Sequence, residues 1–256
     1  MKTDLYKHPD YYALDDLYTD EHKLIRDTAR QWVKKEMSPI IDEHYENATF
    51  PMHILPGLGE IGAFGPYIPV EYGGAGLDHI SYGLIMQELE RCDSGLRSTA
   101  SVQSSLVMYP IWKYGSEEQR MKYLPKLATG EMMGCFGLTE PDFGSNPGGM
   151  ITNFKDDGDH VILNGAKMWI SNAPFAAIAV VWAKDETGRI RGIIVERGME
   201  GFSTPEMHGK LSLRASSTGE LIFENVRVPK SNILPNKSGL GAPLGCLDSA
   251  RFGIAW

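Results

Sequence analysis

Cys135-Phe-Gly-Leu-Thr-Glu-Pro-Asp-Phe-Gly-Ser-Asn146 begins apolar, as a buried strand does, and breaks at Glu140-Pro141. Pro141 disfavours helix at the residue before it, and Gly144 permits backbone angles that residues with a Cβ avoid. The stretch therefore predicts a strand end running into a loop whose backbone can approach another group. Its main-chain amides and the Thr139 and Ser145 hydroxyls form a short-range set of hydrogen-bonding groups. Such a set can grip a planar heterocycle or a phosphate, and it also suits an ordinary turn after a strand. A second stretch, Lys167-Met-Trp-Ile-Ser-Asn172, bears on the choice.

Working outward, the chain before this stretch reads as helix. Thr19 or Asp20 caps a segment in which Leu24, Ile25, Thr28, Ala29, Trp32, Val33 and Met37 fall on one face, and Pro39 ends or bends it. Residues 50–76 are dense in Pro and Gly and read as a short helix with connecting loops. Ile80, Leu84, Ile85, Leu89 and Cys92 line a further helix, with Glu88, Glu90 and Arg91 on its other faces. After Asp93-Ser94-Gly95 an apolar helix is expected from about Leu96 to Tyr109, stopping short of Pro110. Ser116 and Gln119 form a capping box for a helix carrying Met121, Leu124 and Leu127.

At Glu131 the period changes to two. Asn164-Gly165 predicts a hairpin between Val161–Leu163 and Lys167–Ile170, Ala177–Ala183 reads as a buried strand, and Thr187-Gly188 turns it into Ile190–Glu196. Gly219–Val228 is the last long strand, stopped by Pro229. A small antiparallel β domain follows from this, and no G-x-G-x-x-G after a strand speaks for a dinucleotide Rossmann fold. Residues 246–256 have helical spacing, and the sequence reads as cut while that helix is under way.

Composition bounds the function. With 42% hydrophobic and 23% charged residues the 256-residue chain is of the soluble globular type. A net charge of -8 argues against nonspecific nucleic-acid binding but not against an anionic small ligand. Three scattered cysteines, Cys92, Cys135 and Cys246, predict neither a disulfide framework nor a zinc site. The start lacks the pattern of a targeting segment and no apolar run is long enough to span a membrane, so a cytoplasmic location is expected.

Phe136-Gly-Leu-Thr-Glu-Pro141 followed by Gly144-Ser145 resembles the T-E-P…G-S signature of acyl-CoA dehydrogenases, and Trp169-Ile-Ser171-Asn172 resembles their W-I-[ST]-N. Within that family the chain is most similar to the glutaryl-CoA dehydrogenases, through Asp93-Ser-Gly-Leu-Arg97-Ser98, Ser101–Met108, Gly115–Arg120, Lys122–Pro125, Leu213–Ser216 and Ala250–Trp256. Two positions depart from the subfamily: Leu96 stands where Tyr is common, which bears on the pocket near Arg97, and Asn146 replaces the Asp of G-S-D in a loop. The resemblance implies an α+β protein. Residues 1–133 would be an α-helical N-terminal domain, 134–238 a small antiparallel β-barrel or sandwich domain binding flavin and acyl-CoA, and 239–256 the truncated start of a C-terminal helical domain.

It also implies FAD as cofactor, held by Phe136, Leu138, Thr139, Ser145, Trp169 and Ser171, with Trp169 beside the flavin and Ser171 near its N5. Trp169 equally suits a strand aromatic filling a core. Arg97 and Ser98 would hold the distal carboxylate of glutaryl-CoA, an Arg fork suiting a carboxylate. Glu90 would orient Arg97, although both equally suit surface charges on adjoining helices. Ser145, Asp248 and Arg251 would meet the CoA portion, while the spacing of Asp248 and Arg251 also allows them to pair with each other.

The implied reaction is α,β-dehydrogenation of an acyl-CoA, with loss of the distal carboxylate as CO2 to leave crotonyl-CoA. Electron-transfer flavoprotein would be the acceptor, and a homotetramer the assembly of the full-length protein. The base would lie beyond Trp256, so no catalytic residue is assigned within the chain, and Glu140 is expected to be structural. Two alternatives remain open: a nondecarboxylating glutaryl-CoA or other short-chain acyl-CoA dehydrogenase, and a noncatalytic two-domain partner protein.

Overall fold

A computed structural model describes Tyr6 and residues 9–256. Helix α1 (Asp20–Trp32) starts at Thr19, whose hydroxyl accepts the His22 amide at 3.2 Å while His22 Nδ1 accepts the Thr19 amide at 3.3 Å. His22 thus takes the place that Glu or Gln has in most capping boxes. The buried stripe runs through Ala29, Val33 and Met37. Leu24 lies off that stripe and is 67% exposed, against the expectation that it shares the buried face. A π-helical turn (Val33–Met37) and Pro39 then redirect the chain into α2 (Ile41–Asn47), followed by α3 (Leu55–Glu60).

Helix α4 (His79–Cys92) corrects a second expectation. Glu88 does not sit on an outer face; it is fully buried and receives Arg30 Nε at 2.9 Å and Nη2 at 2.8 Å. The Arg fork makes this burial possible, because it satisfies both carboxylate oxygens and ties α1 to α4.

Helices α5 (Ser94–Ser101) and α6 (Tyr109–Tyr114) are joined by a π-helical stretch, Val102–Met108, into one rod that does not stop before Pro110. In this stretch the Tyr109 amide bonds to the Ser104 carbonyl, five residues back. The wider turn makes room for the proline ring, which would clash with a carbonyl of a regular α-helix. Helix α7 (Glu117–Ala128) opens with the expected box, Gln119 N–H to Ser116 Oγ at 3.3 Å and Ser116 N–H to Gln119 Oε1 at 2.9 Å.

Strands β1 (Gly134–Gly137), β2 (Asn153–Asp157), β3 (His160–Ser171), β4 (Ile178–Lys184), β5 (Ile190–Glu196), β6 (Phe202–Ser203), β7 (Thr218–Pro229) and β8 (Ile233–Ser238) form one sheet. Its order is β6-β7-β3-β2-β4-β5-β8, with β1 against β4. Most pairs are antiparallel as expected, but β1 runs parallel to β4, and Asn153 of β2 meets Lys184 of β4 in parallel register. A parallel partner cannot be reached by a tight turn. The chain accordingly makes a long excursion, residues 138–152, before returning as β2.

The Asn164-Gly165 hairpin is not there. β3 runs straight through both residues, and the turn lies at Gly158-Asp159, closing β2 onto β3 with Asp157 opposite His160. Asn164 instead pairs across the sheet with Asn225, its Oδ1 accepting the Asn225 amide at 2.8 Å. This bond secures a bulge in β7 at which Asn225 has φ 54°. Gly165 adopts φ 138°, and a Cβ there would stand 2.5 Å from Thr152 Oγ1.

Alternate residues of β4 serve two cores. Ile178, Val180 and Trp182 pack with the helices, and Ala179, Val181 and Ala183 with Val161, Leu163, Leu221 and Phe223 of β3 and β7. Gln103 joins the helical half to the sheet. Its buried amide donates to the Leu127 and Met132 carbonyls, both at 2.9 Å, and accepts the Gly134 amide at 2.9 Å. Helix α8 (Gly241–Ala255) then returns to the helices: Gly253 lies against Tyr82, Trp256 against Gly83, and Ser249 Oγ is 3.2 Å from the Tyr67 hydroxyl. No described helix is long and apolar enough to cross a membrane.

Candidate functional site

A cavity of about 350 Å³ opens where the two motifs meet. Its strand side carries Phe136, Leu138 and Thr139 from the end of β1, and Trp169, Ile170 and Ser171 from the end of β3. Gly144, Ser145 and Pro147 of the excursion form one wall, Val102 and Leu106 of the π-helical stretch another, and Leu244, Leu247 and Arg251 of α8 a third. The Met168 amide donates to the Thr139 carbonyl at 2.9 Å and locks one motif to the other.

Trp169 is not a core aromatic. β3 carries one extra residue between the pairs Lys167–Leu221 and Ile170–Gly219, and at this bulge Trp169 has φ 62°. A bulky side chain rarely adopts that angle, and bulges re-aim side chains. Here the indole leaves the sheet's alternation, is 60% exposed and lines the cavity, while Ile170 remains buried. Backbone strain held by surrounding structure is a mark of ligand sites. Thr139 and Ser171 are half-buried and Ser145 exposed, so their polar groups border an otherwise apolar space.

Beneath this floor Lys167 and Glu140 are both buried, with Nζ 2.8 Å from Oε1. Glu140 also accepts the Ile151 and Thr152 amides at 2.7 and 3.0 Å. Burial opposes its charge, but these donors, Lys167 foremost, hold the carboxyl below the usual range. Burial pushes the Lys167 ammonium down to about 8, with Glu140 acting the other way. Glu140 is thus committed inside the protein.

The remaining sequence-predicted residues divide. Arg251 lines the cavity, and its Nη1 lies 3.2 Å from Asp248 Oδ1, so the two also pair. Asp248, Glu90, Arg97 and Ser98 are not in the cavity lining. Arg97 Nε meets Glu90 Oε2 at 2.6 Å, and Glu90 also accepts the Ser94 hydroxyl. Ser98 is half-buried beside them. One turn beyond Arg97, Ser101 contacts the buried Tyr82 hydroxyl at 3.4 Å, and Tyr82 meets Ser105 at 2.9 Å. Burial raises the Tyr82 phenol, and the Arg97 charge works against that rise.

Sequence reasoning missed Val102, Leu106, Leu244 and Leu247 as cavity walls. The i, i+4 spacing of Val102 and Leu106 was a signal, but it equally describes a helix face turned to a core. It also missed the hydroxyl cluster of Tyr67, Tyr82, Ser101 and Ser105, whose tyrosines lie far in sequence from its serines.

The helical half and the strand half that meet at this cavity each match a known domain family. Residues 19–131 match the family model "Acyl-CoA dehydrogenase, N-terminal domain", and residues 135–226 match "Acyl-CoA dehydrogenase, middle domain". The chain belongs to the acyl-CoA dehydrogenase family.

Among solved structures it is similar to a glutaryl-CoA dehydrogenase from Mycobacterium smegmatis in complex with FADH2. That likeness is 49% identity and a TM-score of 0.92 over 95% of this chain and 62% of that one. The butyryl-CoA dehydrogenase of Megasphaera elsdenii shares 33% identity with a TM-score of 0.88, over 93% of this chain and 64% of that one. The short-chain specific acyl-CoA dehydrogenase of Clostridium acetobutylicum is 40% identical over 93% of this chain and 64% of its own length. The chain thus spans less than two thirds of these relatives.

Proposed function

We propose that this chain forms the flavin-facing and acyl-CoA-binding part of a FAD-dependent acyl-CoA dehydrogenase, with glutaryl-CoA as its substrate. The observation that carries the flavin reading is the Trp169 bulge, which holds an indole in the cavity beside Thr139 and Ser171 at a strained backbone angle. Apolar Phe136, Leu138, Val102 and Leu106 suit a planar ring, and the Thr139 and Ser171 hydroxyls suit its polar edge. FAD, when bound, supplies the acceptor for the hydrogen and electron pair leaving the β carbon. The protein's work is binding and orientation.

Arg251 and Ser145 at the cavity border offer charge and a hydroxyl to the CoA portion. The glutaryl reading is favoured by Arg97, which Glu90 holds by Nε, leaving the rest of its guanidinium to receive a carboxylate. Ser98, next to Arg97 in the helix and half-buried, adds a hydroxyl there. The cavity lining contains no carboxylate, and in this proposal the α-proton acceptor comes from outside it.

The test is competitive binding of glutaryl-CoA and butyryl-CoA to the FAD-loaded chain, followed through the flavin spectrum, for wild type and Arg97→Gln. Glutaryl-CoA is expected to bind more tightly than butyryl-CoA, and Arg97→Gln to abolish the difference. Equal binding of both esters by wild type would refute the glutaryl assignment and leave a short-chain acyl-CoA dehydrogenase as the reading. That outcome is kept open by the Megasphaera and Clostridium relatives.

A further inference from the structure

The excursion that carries Gly144, Ser145 and Pro147 into the cavity wall leaves the sheet after β1 and rejoins it at β2. Both of its ends are gathered at one place. At the outgoing end Lys167 Nζ donates to the Leu138 carbonyl at 3.1 Å and to Glu140 Oε1 at 2.8 Å. At the returning end the same carboxylate accepts the Ile151 amide at 2.7 Å and the Thr152 amide at 3.0 Å. The lysine stem passes under Gly137, where a Cβ would stand 3.1 Å from Lys167 Cγ. Lys167 lines no part of the cavity, yet it holds Leu138, which does.

We propose that Lys167 is a positioning residue for the flavin ring: through Glu140 it closes the neck of the 138–152 excursion and sets where Leu138, Thr139 and Ser145 stand. The inference rests on the flavin reading of the cavity. A buried ion pair is weak evidence for stability, because apolar or neutral pairs of similar volume fold as well or better. What the pair secures is geometry. Leu138 and Thr139 have left β1, and beyond it they are fixed by Lys167 and by the Met168–Thr139 bond.

The experiment measures FAD affinity by flavin fluorescence, and melting temperature without FAD, for wild type, Lys167→Met/Glu140→Gln, and Glu140→Gln. The double variant removes both charges, and its glutamine oxygen still accepts one of the Ile151 and Thr152 amides, which meet different oxygens of Glu140. It is expected to melt within about 3 °C of wild type and to bind FAD about tenfold or more weakly. Its bound flavin should also have an altered visible band, a change that stability alone does not produce. A double variant with wild-type melting, FAD affinity within about twofold and an unchanged band overturns the role of Lys167. Glu140→Gln is judged by the same two outcomes if the double variant does not fold. Wild type that binds no FAD overturns the flavin reading itself, whatever the variants do.

Discussion

Gln103→Leu is the substitution that most directly probes the joint between the two halves. Gln103 is fully buried and serves three backbone groups: the Gly134 amide, the Met132 carbonyl and the Leu127 carbonyl. Leucine fills a similar volume, so the cavity term is small, and the cost is that of unpaired polar groups. The Leu127 carbonyl keeps the Gly130 amide at 3.3 Å. The Gly134 amide and the Met132 carbonyl lose the side chain that pairs them. At about 1–3 kcal/mol for each buried group left unsatisfied, and with a partial offset from burying an apolar side chain, the net loss is about 3 kcal/mol. In a chain of this size that corresponds to a fall of roughly 6–12 °C in melting temperature. Urea denaturation followed by tryptophan fluorescence measures the difference directly. Gln103→Glu, which keeps an acceptor for Gly134 but turns a carboxylate toward two carbonyls, should cost more. A loss below about 1 kcal/mol for Gln103→Leu would refute the reasoning, since it would mean that the junction re-satisfies its backbone without the side chain.

Other perturbations follow the same logic. Arg30→Met should destabilise more than Glu88→Gln, because the first takes both close donors from a fully buried carboxylate and leaves Arg91 Nε, 3.5 Å from Oε1, as its charge partner, while the second leaves an Arg whose side chain is 23% exposed and can rehydrate. The first is expected to cost about 3–5 kcal/mol by chemical denaturation, and equal costs would contradict the burial argument. Trp169→Gly relieves the backbone at φ 62° and should change stability by less than about 1 kcal/mol while weakening FAD binding. Parallel melting and FAD titration separate the two effects, and unchanged affinity would remove Trp169 from the site. Gly83→Ala places a methyl group against the Trp256 indole; a changed Trp256 emission, checked against Trp256→Phe, is expected as α8 is displaced. Stability should fall in acid. Burial acts against the charges of Glu140 and Glu196, but Lys167 and Lys122 outweigh it and hold both carboxyls below their ordinary value of 4.5. Carboxyls lowered in the fold stabilise it above their ordinary pKa and lose that contribution as pH falls through the lowered value. The melting temperature should therefore drop below pH 4.5, and Glu140→Gln should flatten the drop; an unchanged slope would contradict it.

The change from helix to strand near residue 131, the Ser116 capping box and the β4–β5 turn were legible because each rests on local chemistry. The two motifs were legible as a pair, and the structure joins them through the Met168–Thr139 bond. What escaped were features decided by distant partners. Asn164-Gly165 carries a hairpin signal, yet Asn225 and Thr152 hold it inside a strand, while the plainer Gly158-Asp159 makes the turn. Glu88 looks like a surface charge until Arg30, on another helix, encloses it. Pro110 stops a regular α-helix, but the π-helical turn before it admits the ring, and the same stretch brings Val102 and Leu106 to the cavity. The exposure of Trp169 depends on one extra residue in β3, a register detail that no sequence period encodes.

The most direct measurement is an equilibrium titration of the 256-residue chain with FAD, monitored by the visible absorption of the flavin and by tryptophan emission. One FAD per chain, with a perturbed flavin band and a quenching of emission that Trp169→Phe removes, is the predicted result. A flavin spectrum that stays that of free FAD at saturating protein would contradict the claim that the cavity between β1, β3 and the π-helical stretch is a flavin site.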